Sequence, residues 1–364
     1  MLSCGIVGLP MTGKTTVFNL LTDSEADISD FFSGKTSTNK GIANIPDGRI
    51  DYLSSVFKPK KTTYAQLEVV DIAGLVRGSS SGAGVGNSFV EDIRHVDALI
   101  HVVRAFQDED IPHVDDDINP LRDLETIDLE LLFADLDFVE KRIERITTSK
   151  KKITAEQREE LEVLRKIAAH LEDEKPFYQL ELASEEQTLI QGYTFLTDKP
   201  MILVVNVDEE QLMEGTFPGE DQLVNFAQQR GIPLVVLSAK IEAEIAVLEA
   251  DDQMEFMRDL GIQLPGVVRL AQRMYELLNL ISFFTVGEDE VRAWTITRGL
   301  NAQKAAGKIH SDLERGFIRA ETVGYQDFLD CGSIAATKEK GLWHLEGKTY
   351  IVQDGDILNI RFNV

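Results

Sequence analysis

The sequence predicts an α/β protein in three parts: a parallel-dominated sheet domain, an antiparallel helical hairpin inserted into it, and a small C-terminal module of ubiquitin-like, β-grasp type. Three observations predict this. The first 120 residues alternate short Val/Ile/Leu runs with glycine-rich turns and polar helical stretches. Between Asp123 and Leu171 apolar residues instead recur at spacings of three and four. Beyond Leu280, strand-like segments flank a single apolar helix face.

The expected sheet strands are Cys4–Gly8, Gln66–Ile72, Ala98–Arg104, Met201–Val207 and Leu234–Ser238. Each is brief and rich in Val, Ile and Leu, as parallel strands covered on both faces tend to be. In the insertion, Leu129, Leu132, Leu136, Val139, Ile143 and Ile146 form a heptad seam, continued by Leu161, Leu164, Ala168 and Leu171. Thr154 and Gln157 have the pattern of a capping box opening the second helix. The hairpin tip near Thr147–Thr154 holds Lys150, Lys151 and Lys152, either a solvated loop or a docking point for an anionic partner.

An amphipathic helix over Pro265–Ile281 leads into the last module. There Ser282–Val286 and Val291–Thr297 are expected to pair as strands. Ala302, Ala305, Ala306, Ile309, Leu313 and Phe317 give the helix face, and further strands are expected at Ile318–Thr322, Thr349–Val352 and Asn359–Val364. The expected domains are residues 1–122 with 199–281, the insertion 123–198, and the module 282–364.

Composition limits the function classes. With 43% hydrophobic and 27% charged residues, the 364-residue chain has the profile of a globular protein. Its net charge of −25 repels phosphate backbones on average, so nucleic-acid contact needs a local patch, and no DNA specificity is evident. From Leu280 onward, ten Lys/Arg face twelve Asp/Glu, so the acidity belongs to the earlier residues. Two cysteines, Cys4 and Cys331, make neither a disulfide framework nor a metal cluster. No apolar run is long enough for a membrane span, and the opening residues lack a signal peptide's basic and apolar segments; the cytoplasm is the expected location.

The strongest motif is Gly8-Leu9-Pro10-Met11-Thr12-Gly13-Lys14-Thr15-Thr16, a G-x-x-x-x-G-K-[ST] loop directly after a strand and before a helix. Its glycines let consecutive amides of Met11 to Thr16 wrap a phosphate at a helix N-terminus. Lys14 reaches the β- and γ-phosphates, and Thr15 offers a hydroxyl to Mg²⁺. A second turn, Asp71-Ile72-Ala73-Gly74-Leu75, supplies an acid for Mg²⁺ and a glycine amide for the γ-phosphate. The run from Arg77 to Gly86 holds too much glycine for a fixed path and reads as a switch loop.

A third turn, Asn206-Val207-Asp208-Glu209, stands where guanine-binding proteins carry Asn-Lys-x-Asp. Val207 replaces the lysine, and Glu209 occupies the acid position. A longer carboxylate meets guanine's edge poorly, at a cost of about 1–3 kcal/mol for an unpaired edge, which weakens the case for GTP. Asp208 is the alternative base contact. Ser238-Ala239-Lys240 resembles the loop that completes a base pocket.

These turns and their flanking text resemble the YchF/Obg-like ATPase family of translation-factor-class P-loop proteins. The matching stretches are Asp71 to Val76, Gly84 to Asn87, Asn206 to Glu209, Val291 to Thr295 and Arg361 to Val364, spread over nearly the whole chain. The resemblance implies a P-loop NTPase (G) domain, a C-terminal TGS domain, Mg²⁺-dependent hydrolysis of ATP in preference to GTP, and association with ribosomes or ribosomal RNA. It also implies a hydrophobic residue, here Leu75, in place of a water-positioning Gln, hence slow turnover, and a catalytic loop histidine, here His113.

Three departures from the family's pattern stand out. Met11-Thr12 replaces Asn-Val, removing an amide ligand for a monovalent cation. The first switch reads Phe32-Ser33-Gly34-Lys35-Thr36-Ser37, leaving Thr36 as the candidate Mg²⁺ contact. The same change removes the thiol expected for redox control. A GTPase of the same fold and a nucleotide-stabilised scaffold with negligible turnover are the competing readings.

Overall fold

The structure, a computed structural model, describes residues 1–24, 38–72, 85–115 and 117–363, without the side chains of 85–88. Thr36, Gly74, Leu75 and most of the glycine-rich run lie outside the described residues. The strands are β1 (Ser3–Val7), β2 (Asn39–Ile45), β3 (Lys61–Thr63), β4 (Ala65–Asp71), β5 (Ala98–Arg104), β6 (Met201–Asn206), β7 (Leu234–Leu237), β8 (Leu280–Val286), β9 (Glu290–Thr297), β10 (Phe317–Gly324), β11 (His344–Glu346) and β12 (Asp356–Phe362).

One sheet has the order β2-β4-β1-β5-β6-β7. The pairs β1–β4, β1–β5, β5–β6 and β6–β7 are all parallel. Every residue of β1 and β5 is buried, including the polar Ser3, His101 and Arg104, which is why these strands read as mostly apolar runs rather than alternating ones. The order places the C-terminal ends of β1, β4 and β6 along one edge, where a parallel sheet offers its ligand crevice. All five expected strands of this sheet are present, within a residue of their expected ends.

The insertion is an antiparallel helix pair, Pro120–Thr147 and Ala155–Glu172. Asn119 caps the first helix, with Pro120 in its first turn. Thr154 and Gln157 form the expected capping box. Leu124, Ile127, Leu131 and Ala134 pack the first helix under the sheet. Further along, Leu132, Val139 and Ile146 pack against Leu161, Leu164, Ile167 and Leu171. Leu129 is a correction to the seam: it is 39% exposed, because the stripe turned to the sheet runs through Leu124, Ile127 and Leu131.

The second sheet has the order β11-β10-β12-β8-β9-β3. The hairpin β8–β9 is antiparallel, β12 lies parallel to β8, and β10 is antiparallel to β12. The helix Ala302–Ile309 crosses it, burying Ala302, Ala305 and Ala306 with Phe283, Ile296, Ala320 and Leu358. Its small side chains let backbone approach sheet closely. The expected helix to Phe317 breaks at His310, whose side chain caps a second short helix, Ser311–Arg315. The strand expected at Thr349–Val352 is only an isolated bridge at Ile351; β11 takes the edge instead.

The fold divides the chain into two compact units, Leu2–Gly41 with Glu68–Val267, and Met1, Ile42–Leu67 with Val268–Val364. Residues 42–67, expected in the nucleotide-binding domain, thus pack with the C-terminal module. There β3 pairs with β9, Phe57 stacks on Phe328 at 5.6 Å, and Arg49 bonds Asp47 and both carboxylate oxygens of Asp354. Such pairing of distant segments has no local signature.

Candidate phosphate-binding site

The loop between β1 and the helix Lys14–Thr22 is built on close backbone approach. Gly8 has φ +150°, and a Cβ there would lie 2.3 Å from the Val102 carbonyl oxygen. Gly13 has φ +93°, and its Cβ would lie 2.3 Å from Asn206 Nδ2. Both positions therefore require glycine. Met11 holds φ +63° without being glycine, a local strain of about 1–2 kcal/mol. Thr12 Oγ1 donates to the Leu9 carbonyl at 3.1 Å, keeping the fully buried Thr12 inside the loop. Thr16, in the helix's first turn, is half-buried.

Lys14 is buried and donates its ammonium to the Leu9 carbonyl at 2.6 Å. Burial pushes its pKa down to about 8, with Asp71 acting the other way. The ammonium thus lies folded across the loop, held by one neutral acceptor, and an anionic oxygen is a better partner. Thr15 Oγ1 donates to Asp71 Oδ2 at 2.9 Å, joining the helix start to the end of β4. Burial raises the Asp71 pKa, opposed by the Thr15 hydrogen bond and by Lys14. A hydroxyl and a carboxylate at this separation are hard oxygen donors, the set Mg²⁺ prefers.

On the other flank Asn206 is a junction. Its Nδ2 donates to the Thr12 carbonyl at 3.0 Å, and its Oδ1 accepts from the Ala239 amide at 2.9 Å. Its own carbonyl accepts from Ala105 and Phe106. The remaining expected base contacts are placed differently. Val207 is 2% exposed, packed among Val103, Leu203, Val205 and Phe217, so its side chain is core and not a platform for a base. The Ala239 amide is engaged by Asn206.

Asp208 caps the helix Glu209–Glu214, accepting from the Gln211 amide at 2.9 Å, and also takes the Gln107 amide at 3.3 Å. Glu209, first in that helix, is exposed. Ser238 is 1% exposed, and its hydroxyl has no hydrogen-bond partner among the described residues. Of the expected base-side groups, it is the buried one with unspent polar capacity among the described residues.

His113 is buried as well. Its Nε2 lies 2.9 Å from Asp123 Oδ2, and its Nδ1 accepts from the Asp115 amide at 3.1 Å. That amide has only a proton to offer, so Nδ1 carries the lone pair and Nε2 carries the hydrogen. Both ring nitrogens are engaged in this conformation, one by the loop and one by the following helix. Arg122 sits beside the same group, 3.1 Å from Asp123 and 3.7 Å from Asp115. His113, Asp115 and Asp123 have ligand atoms within 4.8 Å of one another, but Arg122 already supplies the positive charge a cation would bring.

Two positions that shape the His113 loop escaped the sequence. Asp123 belongs to the next helix, ten residues on, and nothing local ties it to His113. Arg104 ends β5 fully buried and donates to the carbonyls of Phe106, Asp108 and Pro112, gathering the loop that leads to His113. The one available signal was an arginine closing a strand that is apolar apart from His101.

Two family descriptions match the chain. Residues 3–135 match MMR_HSR1, "50S ribosome-binding GTPase", and residues 280–363 match YchF-GTPase_C, "Protein of unknown function (DUF933)". The "Ribosome-binding ATPase YchF" of Bacillus subtilis (strain 168) is 44% identical over 366 residues, covering 100% of both chains. The protein of the same name from Escherichia coli O157:H7 is 43% identical over 361 residues, covering 99% of each. The solved structure of the Schizosaccharomyces pombe YchF GTPase superposes with a TM-score of 0.84 at 35% identity, covering 99% of this chain and 97% of that one.

Proposed function

The chain belongs to the YchF family, and we propose that it is a Mg²⁺-dependent ATP hydrolase that works on ribosomes as a nucleotide-controlled switch, with ATP preferred over GTP. The phosphate loop carries this reading. Gly8 and Gly13 permit its path, the Lys14 ammonium lies within it, and the Thr15–Asp71 donor pair closes one side. The relatives' names, ribosome-binding ATPases, point the same way. Those ribosome-binding names also support a cytoplasmic place of action; among the described residues no helix is long and apolar enough to cross a membrane.

In this mechanism the loop amides and Lys14 bind the phosphate tail. Lys14 exchanges the Leu9 carbonyl for phosphate oxygen, bringing a positive charge to the β- and γ-phosphates. Thr15 and Asp71 would hold Mg²⁺, which supplies charge neutralisation between the phosphates. Turnover is slow because proton transfer from water falls to a histidine, His113, that must first leave its bonds to Asp123 and the Asp115 amide. Reorganisation of that loop is then the switch step.

The ATP preference is supported by the carboxylates near Asn206. Guanine presents two donors that want one carboxylate. Asp208 already caps a helix, and Glu209 stands exposed on that helix. Adenine does not ask for either. Calorimetric titration of nucleotide-free protein with ATP and GTP in Mg²⁺ tests this: ATP is expected to bind at least tenfold more tightly, and equal or tighter binding of GTP overturns the preference.

A further inference from the structure

The charge of this chain is divided very unevenly in space. Between positions 141 and 158, at the far end of the helical hairpin, seven Lys/Arg face two Asp/Glu. The rest of the chain holds thirty Lys/Arg and sixty Asp/Glu. Two of the seven cations are spent locally, Lys141 on Asp137 and Arg142 on Glu160. The other five, Arg145, Lys150, Lys151, Lys152 and Arg158, are exposed, and no carboxylate pairs with them among the described residues. Glu140, Glu144, Glu156 and Glu159 are the exposed acids on the same two helices near this end.

The position matters as much as the count. Ala134 is the last residue of its helix in the core shared with Val7, Val70 and Leu99. Thr147, the helix end, is thirteen residues further, about 20 Å at the helical rise. At physiological salt the Debye length is about 8 Å, so the sheet core that holds Ala134 is screened from the tip by more than two such lengths. A polyanion can therefore meet the cationic end with little repulsion from the carboxylates around that sheet core.

The end is also held still. Arg142 makes a two-pronged bond to Glu160 at 2.7 and 3.0 Å, and Tyr193 donates to the same carboxylate. Ile153 packs into the hairpin's own core, Thr148 bonds back to Glu144, and Thr154 caps the return helix. The lysines thus project from a fixed turn, which lowers the entropy cost of binding.

We propose that this hairpin end is a docking surface for the phosphate backbone of RNA, with Lys150, Lys151 and Lys152 as its centre. The inference rests on the reading of the chain as a ribosome-associated protein and names the surface that makes the association. RNA fits better than an acidic peptide because five cations around one short turn match closely spaced phosphates, and releasing the counterions condensed on them drives binding. Nothing at this surface, among the described residues, offers the apolar pocket or strand edge by which a peptide is usually held.

The test uses the full chain, a fluorescent 20-base-pair RNA duplex and polyglutamate of equal charge, titrated between 50 and 200 mM KCl. Substituting Lys150→Ala, Lys151→Ala and Lys152→Ala together is expected to weaken duplex binding at least tenfold. It should also lower the slope of log affinity against log salt by about 2 to 3, at roughly 0.7–0.9 for each phosphate no longer neutralised. ATP turnover without ribosomes should stay within twofold of the parent. Unchanged duplex affinity and slope in the triple variant, or no duplex binding by the parent, overturns the proposal. Polyglutamate binding as tightly as the duplex overturns it in favour of an acidic protein partner. Sedimentation with ribosomes separates the two levels: a parent chain that fails to pellet refutes ribosome association itself, whereas parent and triple variant pelleting equally refutes only the hairpin end.

Discussion

Asn206 donates its side-chain amide to the carbonyl of Thr12, 3.0 Å away, and so ties the end of β6 to a phosphate loop 194 positions earlier. The same side chain accepts from Ala239, so one residue fixes the loop on one side and the β7 turn on the other. Replacing it by alanine strands a buried carbonyl and a buried amide together. Asn206→Ala is expected to cost at least about 2 kcal/mol of stability, at 1–3 kcal/mol per unpaired group, and to weaken ATP binding at least tenfold. Urea unfolding and nucleotide titration of the same sample measure both; an unaltered midpoint would mean the tie is dispensable.

Lys14 gives a pH signature. Its folded pKa, lowered to about 8 by burial, lies below the ordinary 10.5, so the folded state sheds this proton before the unfolded chain does. Between about pH 8 and 10.5 the unfolded state binds more protons, and this group's contribution to stability rises with pH. Below pH 8 the burial cost is fully present, about 3 kcal/mol at 1.36 kcal/mol per pH unit. Lys14→Met is therefore expected to be more stable than the parent at pH 7, with an advantage that shrinks from pH 8 to 10.5. Nucleotide affinity of the parent should fall above pH 8, as the ammonium is lost. Thermal unfolding across that range reads the first effect, and calorimetry the second.

Asp71→Asn keeps an acceptor for the Thr15 hydroxyl but removes the negative charge from the expected Mg²⁺ site. Turnover in this variant should need at least tenfold more Mg²⁺ for half-maximal rate, and chelation should abolish turnover in the parent. A Mg²⁺ titration identical to the parent's would take Asp71 out of the site.

His113→Ala is expected to slow ATP turnover at least tenfold, about 1.4 kcal/mol of barrier, while nucleotide affinity stays within twofold. It also strands the buried Asp123 carboxylate, with Arg122 as its remaining ion-pair partner, so a loss of about 1–3 kcal/mol in stability should accompany it. If stability falls and turnover does not, His113 is an anchor of its loop and nothing more.

Local sequence determined the parts of this protein that are local in physics. A strand buried on both faces is mostly apolar, and a phosphate loop must have glycine where a Cβ would lie 2.3 Å from backbone or an incoming side chain. Hence β1, β5, β6 and the Gly8–Thr16 loop were legible, as was the Thr154 cap, whose partners lie three residues apart. Tertiary structure decided how polar groups were spent. Only the folded chain reveals that Val207 is core, that His113 is paired with Asp123, and that Lys61–Thr63 joins the second sheet. The reason is that a carboxylate, an imidazole or an edge strand can satisfy its bonds in several ways. Which partner it takes depends on distant segments brought within about 3 Å by packing, a choice that no spacing along the chain encodes.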